Sequence, residues 1–184
     1  AYTIERGARG ALAILVPTWV HAVAAGSKVA VYCSDVSEAF DRVCMERLVA
    51  KLRHKGVHPQ IVAVLASLLR RGLAQIVAGC ATSSEMILSN MVFQATVTGE
   101  ILWNSFFKDA RHAINECLFT EVIYAADLNA YRVFPSTIHN EVIKESLVSC
   151  QQELHKWGLA NQVAFDAGKE SQHVISLSDP SGNN

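Results

Sequence analysis

Two acidic segments hold the residues best placed to do chemistry. Cys33-Ser-Asp-Val-Ser-Glu-Ala-Phe-Asp41 puts Asp35 where a run of β-forming residues, 28–34, gives out. A carboxylate emerging at the end of a buried strand can bind a hard cation at the sheet edge. It can equally cap the helix that follows. Glu121-Val-Ile-Tyr-Ala-Ala-Asp-Leu-Asn129 places Asp127 at a tight connection between two apolar runs, where Asp is also an ordinary turn residue. Asp41 suits the cap or first turn of a helix beginning there. Each segment alone has a structural explanation; their combination and order carry more.

The elements that must position these residues follow from periodicity. Residues 11–25 read as an apolar helix that Pro17 kinks or starts afresh. Gly26 and Ser27 then turn the chain into the strand at 28–34. Over 41–55, Val43, Leu48 and Leu52 share one face and charged residues the other, an amphipathic helix stopped by Gly56. A second helix spans 59–71, with Pro59 in its first turn and Gly72 at its end. Segments 74–78 and 86–93 read as strands, and 98–116 as one helix. Segments 119–125 and 128–134 form a hairpin, 140–157 a helix ended by Gly158, and 162–165 with 172–177 a last pair of short strands. Helices and strand pairs without strict βαβ alternation predict an α+β fold, a mainly antiparallel sheet packed against helices.

Composition narrows the class. With 184 residues, 51% hydrophobic and 18% charged, the chain predicts one compact domain burying roughly 70% of its unfolded surface. Disorder, collagen-like repeats and a uniformly basic nucleic-acid binder are excluded. Charge is nonetheless graded. Residues 1–75 carry ten Lys/Arg against five Asp/Glu, and residues 76–184 six against twelve. One end can face a polyanion while the other gathers carboxylates. Five cysteines without a C-x-x-C pair suggest reduced thiols in an intracellular protein, cytoplasmic or nuclear, without zinc or a disulfide framework. No signal peptide or membrane span is expected, and the start at Ala1 suggests a fragment or processed piece.

Taken in order, the motifs resemble those of the reverse transcriptase domain of non-LTR (LINE-type) retrotransposons. Asp-x-x-x-Ala-Phe-Asp at Asp35 to Asp41 is similar to the first palm motif, and Gln94 with the helix that follows to the Gln-Gly…Pro motif. Tyr124-Ala-Ala-Asp127 is similar to the Tyr-Ala-Asp-Asp hairpin, and Trp157-Gly-Leu with Phe165-Asp-Ala-Gly-Lys169 to the next palm motif. The resemblance implies a polymerase palm over 28–178 and part of the fingers in 1–27; the low-complexity composition of 179–184 predicts a disordered tail. It further implies template-directed nucleotidyl transfer by two Mg²⁺ (or Mn²⁺) ions, with Asp35 and Asp127 as metal ligands and the Val36 carbonyl as a weaker one. Phe40 would be a sugar gate; Gln94, Ala95 and Tyr124 would line the nucleotide and template pocket. Lys169 would sit beside the triphosphate as charge partner or proton donor. The implied partners are an RNA template with a DNA primer and deoxynucleoside triphosphates, with no membrane. Thumb and endonuclease regions of a longer polyprotein are missing.

Three departures point to a degenerate copy. Ala126 stands where the family has its metal-bridging Asp, Ala95 where it has Gly, and Glu100 where it has Pro. The methyl of Ala95 intrudes where glycine would let the backbone approach closely. The expectation is a polymerase fold with impaired catalysis. The alternative is a silent remnant acting at most as a nucleic-acid-binding or structural domain. Lys51, Arg53, His54, Lys55, Arg70 and Arg71 form a basic cluster that template phosphates or plain solvation would explain equally.

Overall fold

Side-chain alternation in one antiparallel sheet decides what faces what. A computed structural model describes residues 8–69, 72–88, 92, 96 and 98–177. In chain order its elements are α1 (Ala8–Ala24), β1 (Lys28–Asp35), α2 (Met45–His54), α3 (Pro59–Leu68), β2 (Gly72–Ala74), β3 (Val77–Ala78) and β4 (Ala81–Thr82). There follow β5 (Met86–Leu88), α4 (Gly99–Phe107), α5 (Ala110–Glu116), β6 (Thr120–Tyr124), β7 (Asp127–Phe134), α6 (Asn140–Asn161) and β8 (Ser171–Ile175). The chain folds as two compact units where its length suggested one domain. The first comprises Ala1–Ser37, Asp109–Ala160 and Ala164–Asn184; the second comprises Glu38–Lys108 with Asn161–Val163.

The first unit is built on a four-stranded sheet ordered β6-β7-β1-β8, every neighbouring pair antiparallel. Strand β1 is central, and Val29, Ala30, Val31 and Tyr32 are buried on both faces. Because side chains alternate, Cys33, Asp35, Asn129 and Asp127 share a face with Tyr131, whose ring meets Trp19 of α1 edge-on at 6.3 Å. Helix α1 therefore covers that face. The opposite face carries Tyr32, Ser34 and Gln172 and is covered by α6, whose Ile143, Leu147, Cys150 and Leu154 form a buried stripe at helical spacing. Lys28 fastens the start of β1 to the start of α6, donating to the Ile138 carbonyl (2.8 Å) and Asn140 Oδ1 (2.9 Å).

The second unit is centred on α4. Trp103 is fully buried, stacked on Phe107 at 4.9 Å, with Phe40 at 5.7 Å and Phe106 at 6.2 Å. Lys51 of α2 and Lys55, its C-cap residue, donate to the Phe106 and Ser105 carbonyls, both at 2.7 Å, and so satisfy C-terminal carbonyls of α4.

Several boundaries differ from expectation, each for a local reason. α1 runs through Pro17 as one helix. α2 begins at Met45, not Asp41, because Glu38 adopts φ 51° and its carbonyl accepts from Asp41 and Arg42 in a turn; Glu46 is the first-turn acid. The single helix expected over 98–116 is two, α4 and α5, parted at Lys108 and Asp109. Gly158 lies inside α6, which ends beyond it; Gln162, at φ 62°, is the left-handed residue that Gly158 was expected to supply. Of the expected strand 162–165 only a single bridge forms, Phe165 with Val36. Among the described residues no helix is long and apolar enough to cross a membrane.

Truncating Trp103 would remove the largest side chain of the second unit's aromatic cluster. Trp103→Ala should destabilise the protein by about 3–5 kcal/mol, read from the urea midpoint.

Candidate functional site

Asp35 is the last residue of β1 and Asp127 the first of β7, and the register makes them direct cross-strand partners. Partners across an antiparallel pair point to the same side, so two carboxylates meet on the two central strands. The turn between β6 and β7, Ala125-Ala126, has positive φ (52°) at its first residue alone. The Ala126 carbonyl accepts from the Val36 N–H at 3.3 Å, which ties the turn to the end of β1. A cavity of about 340 Å³ opens over the pair, lined by Asp35, Asp127, Tyr124 and Lys169 and walled by Ala11 and Leu12 of α1.

The turn 165–170 supplies the nearest cation. Its backbone is stitched to the end of β1 by the Asp166 N–H to the Asp35 carbonyl (2.9 Å), and just ahead of it the Ala164 carbonyl accepts from the Ser37 N–H beyond β1 (3.0 Å). Asp166 Oδ1 accepts from the Gly168 N–H at 3.0 Å and closes the turn. From there Lys169 reaches Asp35, with Nζ to Oδ2 at 2.6 Å, and stands 3.9 Å from Asp166 Oδ2. Partial desolvation and then the charge of Asp35 raise the Asp127 carboxyl above its usual range, while Lys169 works the other way. The hydrogen bond to Asp35, then its charge, holds the Lys169 ammonium above its ordinary range.

These donors do not fit a two-ion centre. Two divalent cations about 4 Å apart repel by roughly 17 kcal/mol at an effective dielectric near ~20, and bridging carboxylates must offset that. Ala126 offers a methyl at the turn, Lys169 already holds one oxygen of Asp35, and Asp127 is exposed. Among the described residues no group of three His, Cys, Asp or Glu side chains is arranged to hold a metal ion.

The other expected site residues are placed as follows. Val36 is buried and bridged to Phe165. Tyr124 is the β6 partner of Asp127. Phe40 lies in the second unit, where its ring packs on Trp103. Glu100 is exposed in the first turn of α4. Gln94, Ala95, Arg70, Arg71 and the tail from 179 lie outside the described residues. In the basic cluster, Lys51 and Lys55 cap α4, and Arg53 and His54 are exposed.

A polar centre on the opposite face escaped the sequence. The Glu170 side chain, 9% exposed, accepts from the Tyr32 hydroxyl, from Gln151 Nε2 (3.1 Å) and from His155 Nε2 (2.7 Å). Burial opposes its ionisation, but the bonds from His155 and Tyr32 outweigh that and hold its carboxyl below the usual range. Burial, then the bond to Glu170, pushes the Tyr32 phenol up. Burial likewise pushes the Cys150 thiol up to about 12, as expected of an inert core cysteine. Nothing in the spacing of Tyr32, Gln151, His155 and Glu170 marks them as a set.

A solved structure of apo telomerase from Candida tropicalis, truncated from its C-terminal domain, matches 96% of this chain with a TM-score of 0.65 at 10% sequence identity. This chain spans 37% of that telomerase chain. No protein-family model and no curated protein matches the sequence. At that identity the likeness is one of architecture: the chain shares the α+β fold of the matched part of that telomerase chain.

The charges on the two faces respond differently to pH. Asp127→Asn removes a carboxylate whose ionisation partial desolvation and then the charge of Asp35 disfavour, so it should raise the melting temperature at pH 7. The advantage should fade as pH falls through the raised folded pKa and be lost below the unfolded value of 3.8. Glu170 has a lowered folded pKa, so its stabilisation is complete above the unfolded value of 4.5 and fades as pH falls through the lower folded one. Glu170→Gln should cost about 1–3 kcal/mol at pH 7 and flatten the loss of stability on acidification, as urea unfolding at several pH values will show.

Proposed function

We propose that this chain is the palm, with part of the fingers, of an RNA-directed DNA polymerase of the LINE retrotransposon type, in a copy with impaired catalysis. The observation that carries it is the in-register pairing of Asp35 with Asp127 on the two central strands, beside a two-residue turn. The telomerase-like architecture supports the polymerase class, and the ordered motifs of the sequence support the retrotransposon family. On this reading the partners are an RNA template, a DNA primer and deoxynucleoside triphosphates, in the nucleus or cytoplasm. Thumb contacts to the nucleic-acid backbone would come from other parts of a longer polyprotein. The two-ion Mg²⁺ (or Mn²⁺) site is incomplete because Ala126 replaces a bridging carboxylate. Phe40, Gln94 and Ala95 keep the sugar-gate and template-pocket roles that the motifs imply.

A second reading, a silent remnant that binds nucleic acid or serves as structure, is favoured by the same two features that impair the site. These are the Ala126 methyl and the engagement of Asp35 by Lys169.

Primer extension on an RNA template with Mg²⁺ separates the two. The repaired chain, Ala126→Asp with Ala95→Gly and Glu100→Pro, should exceed the unrepaired chain by at least ~100-fold, since even outer partners of a metal are worth ~10–100-fold. Adding Asp35→Ala to the repaired chain should abolish the gain. Extension by the unrepaired chain at the repaired rate would refute the claim about Ala126. Template binding without extension by either chain would favour the remnant.

A further inference from the structure

We propose that Lys169 is the resident cation of the carboxylate site. Its tethered ammonium occupies the position on Asp35 that a divalent ion would need, and the site is held closed without metal. The proposal rests on the palm reading only for the kind of ion displaced.

The tether is anchored at both ends. Ahead of Lys169, Asp166 donates its N–H to the Asp35 carbonyl (2.9 Å) and accepts at its own carbonyl from the N–H groups of Lys169 (2.9 Å) and Glu170 (3.1 Å). Directly behind it, Glu170 is held on the other face of the sheet by Tyr32, Gln151 and His155. Lys169 is therefore delivered to Asp35 by a turn whose backbone is fixed, although most of its side chain is solvent-exposed (63%). At 2.6 Å, Nζ to Oδ2 is a charge-assisted hydrogen bond. A small divalent ion would bind that oxygen at ~2.0–2.1 Å, inside the space the ammonium takes, and would repel it. Asp127 and Asp166 lie around the same ammonium, and both raise its affinity for its proton. Asp35 holds the ammonium directly, with Asp166 at 3.9 Å, so one positive charge offsets part of the negative charge gathered at the strand ends.

The test is divalent-ion binding by the full chain, with Mn²⁺ followed by the loss of its free EPR signal and by thermal melting. The unmodified chain should take up no Mn²⁺ below millimolar concentration and should melt at the same temperature in Mn²⁺ and in EDTA. Lys169→Met should bind one Mn²⁺ at least ~10-fold more tightly, because a positive charge within ~4 Å of the ion is gone. That variant should melt lower than the parent in EDTA and recover with Mn²⁺, and adding Asp35→Asn should cancel the binding. Lys169→Arg keeps the charge and should behave as the parent does. Lys169→Gln replaces the Met variant if the latter unfolds.

Tight Mn²⁺ binding by the unmodified chain would overturn the proposal. So would a folded Lys169→Met that takes up no Mn²⁺, or failure of both neutral variants to fold even in Mn²⁺. Ala126→Asp alone supplies the separating control. The added acid should let Mn²⁺ compete with the ammonium, and Lys169→Met on top of it should tighten binding at least ~10-fold further. Equal binding with and without Lys169 would show that the lysine is not the block, and this proposal would fall while the polymerase reading gained. If Lys169→Met binds Mn²⁺ but the repaired chain extends no primer, the polymerase reading fails and this one stands.

Discussion

The pairing of β1 with β7 is the constraint on which the first unit depends. It runs unbroken from Lys28↔Phe134 to Asp35↔Asp127 and fixes the register of the two central strands. A slip of one residue would send Tyr32 and Ser34 to the α1 face and Asp35 to the face covered by α6. Packing forbids that slip, because Glu170 takes the Tyr32 hydroxyl on the α6 face, and an aspartate there would stand beside an enclosed carboxylate. The register therefore imposes like charge on like charge at its far end. Asp35 and Asp127 meet because the core demands it, and a neighbouring group must offset their repulsion.

The group that offsets it arrives from the turn between α6 and β8. That one segment serves both faces of the sheet with adjacent residues, Lys169 toward the carboxylates and Glu170 toward Tyr32 and His155. Alternation makes this possible, since neighbouring side chains leave the backbone on opposite sides. The two charges work against different backgrounds. Glu170 is nearly enclosed and surrounded by donors, so its ionised form is stabilised there despite burial. Lys169 is exposed and holds its place through a short contact and a fixed backbone. Charges set this close across one strand couple the stability of the sheet to the electrostatics of the site.

Much of this was legible in the sequence. The β-formers of 28–34 and the apolar runs around Ala125-Ala126 foretell β1, β6 and β7 within a residue or two, because strand propensity and tight-turn spacing are local signals. The meeting of Asp35 and Asp127 was legible only through the order of motifs, since nothing local pairs residues so far apart in the chain. Helix ends were less accessible. Gly158 has the residue type of a terminus, but a helix ends where the chain takes positive φ, and tertiary packing assigned that to Gln162. The basic stretch of α2 likewise looks like a phosphate-binding surface in sequence. Two of its lysines find carbonyls at the end of α4, a distant partner that charge counting does not reveal.

The site's chemistry turns on how many carboxylates meet there. A centre for two divalent ions needs enough negative charge within about 4 Å to hold four positive charges together. A centre for one ammonium needs far less, and the donor can be supplied covalently by the chain. Here the turn residue between the two strands of the hairpin is alanine, and the nearest lysine is bonded to the Asp at the end of β1. Those two facts are mutually consistent, because an added carboxylate at the turn would strengthen the case for a metal ion and its absence strengthens the case for a single tethered charge. The same backbone can hold either arrangement, since register and turn length do not depend on which side chain stands at position 126. Architecture is thus retained by packing of the sheet against α1 and α6, while the ionic state of its edge is set by a few side chains that packing does not constrain.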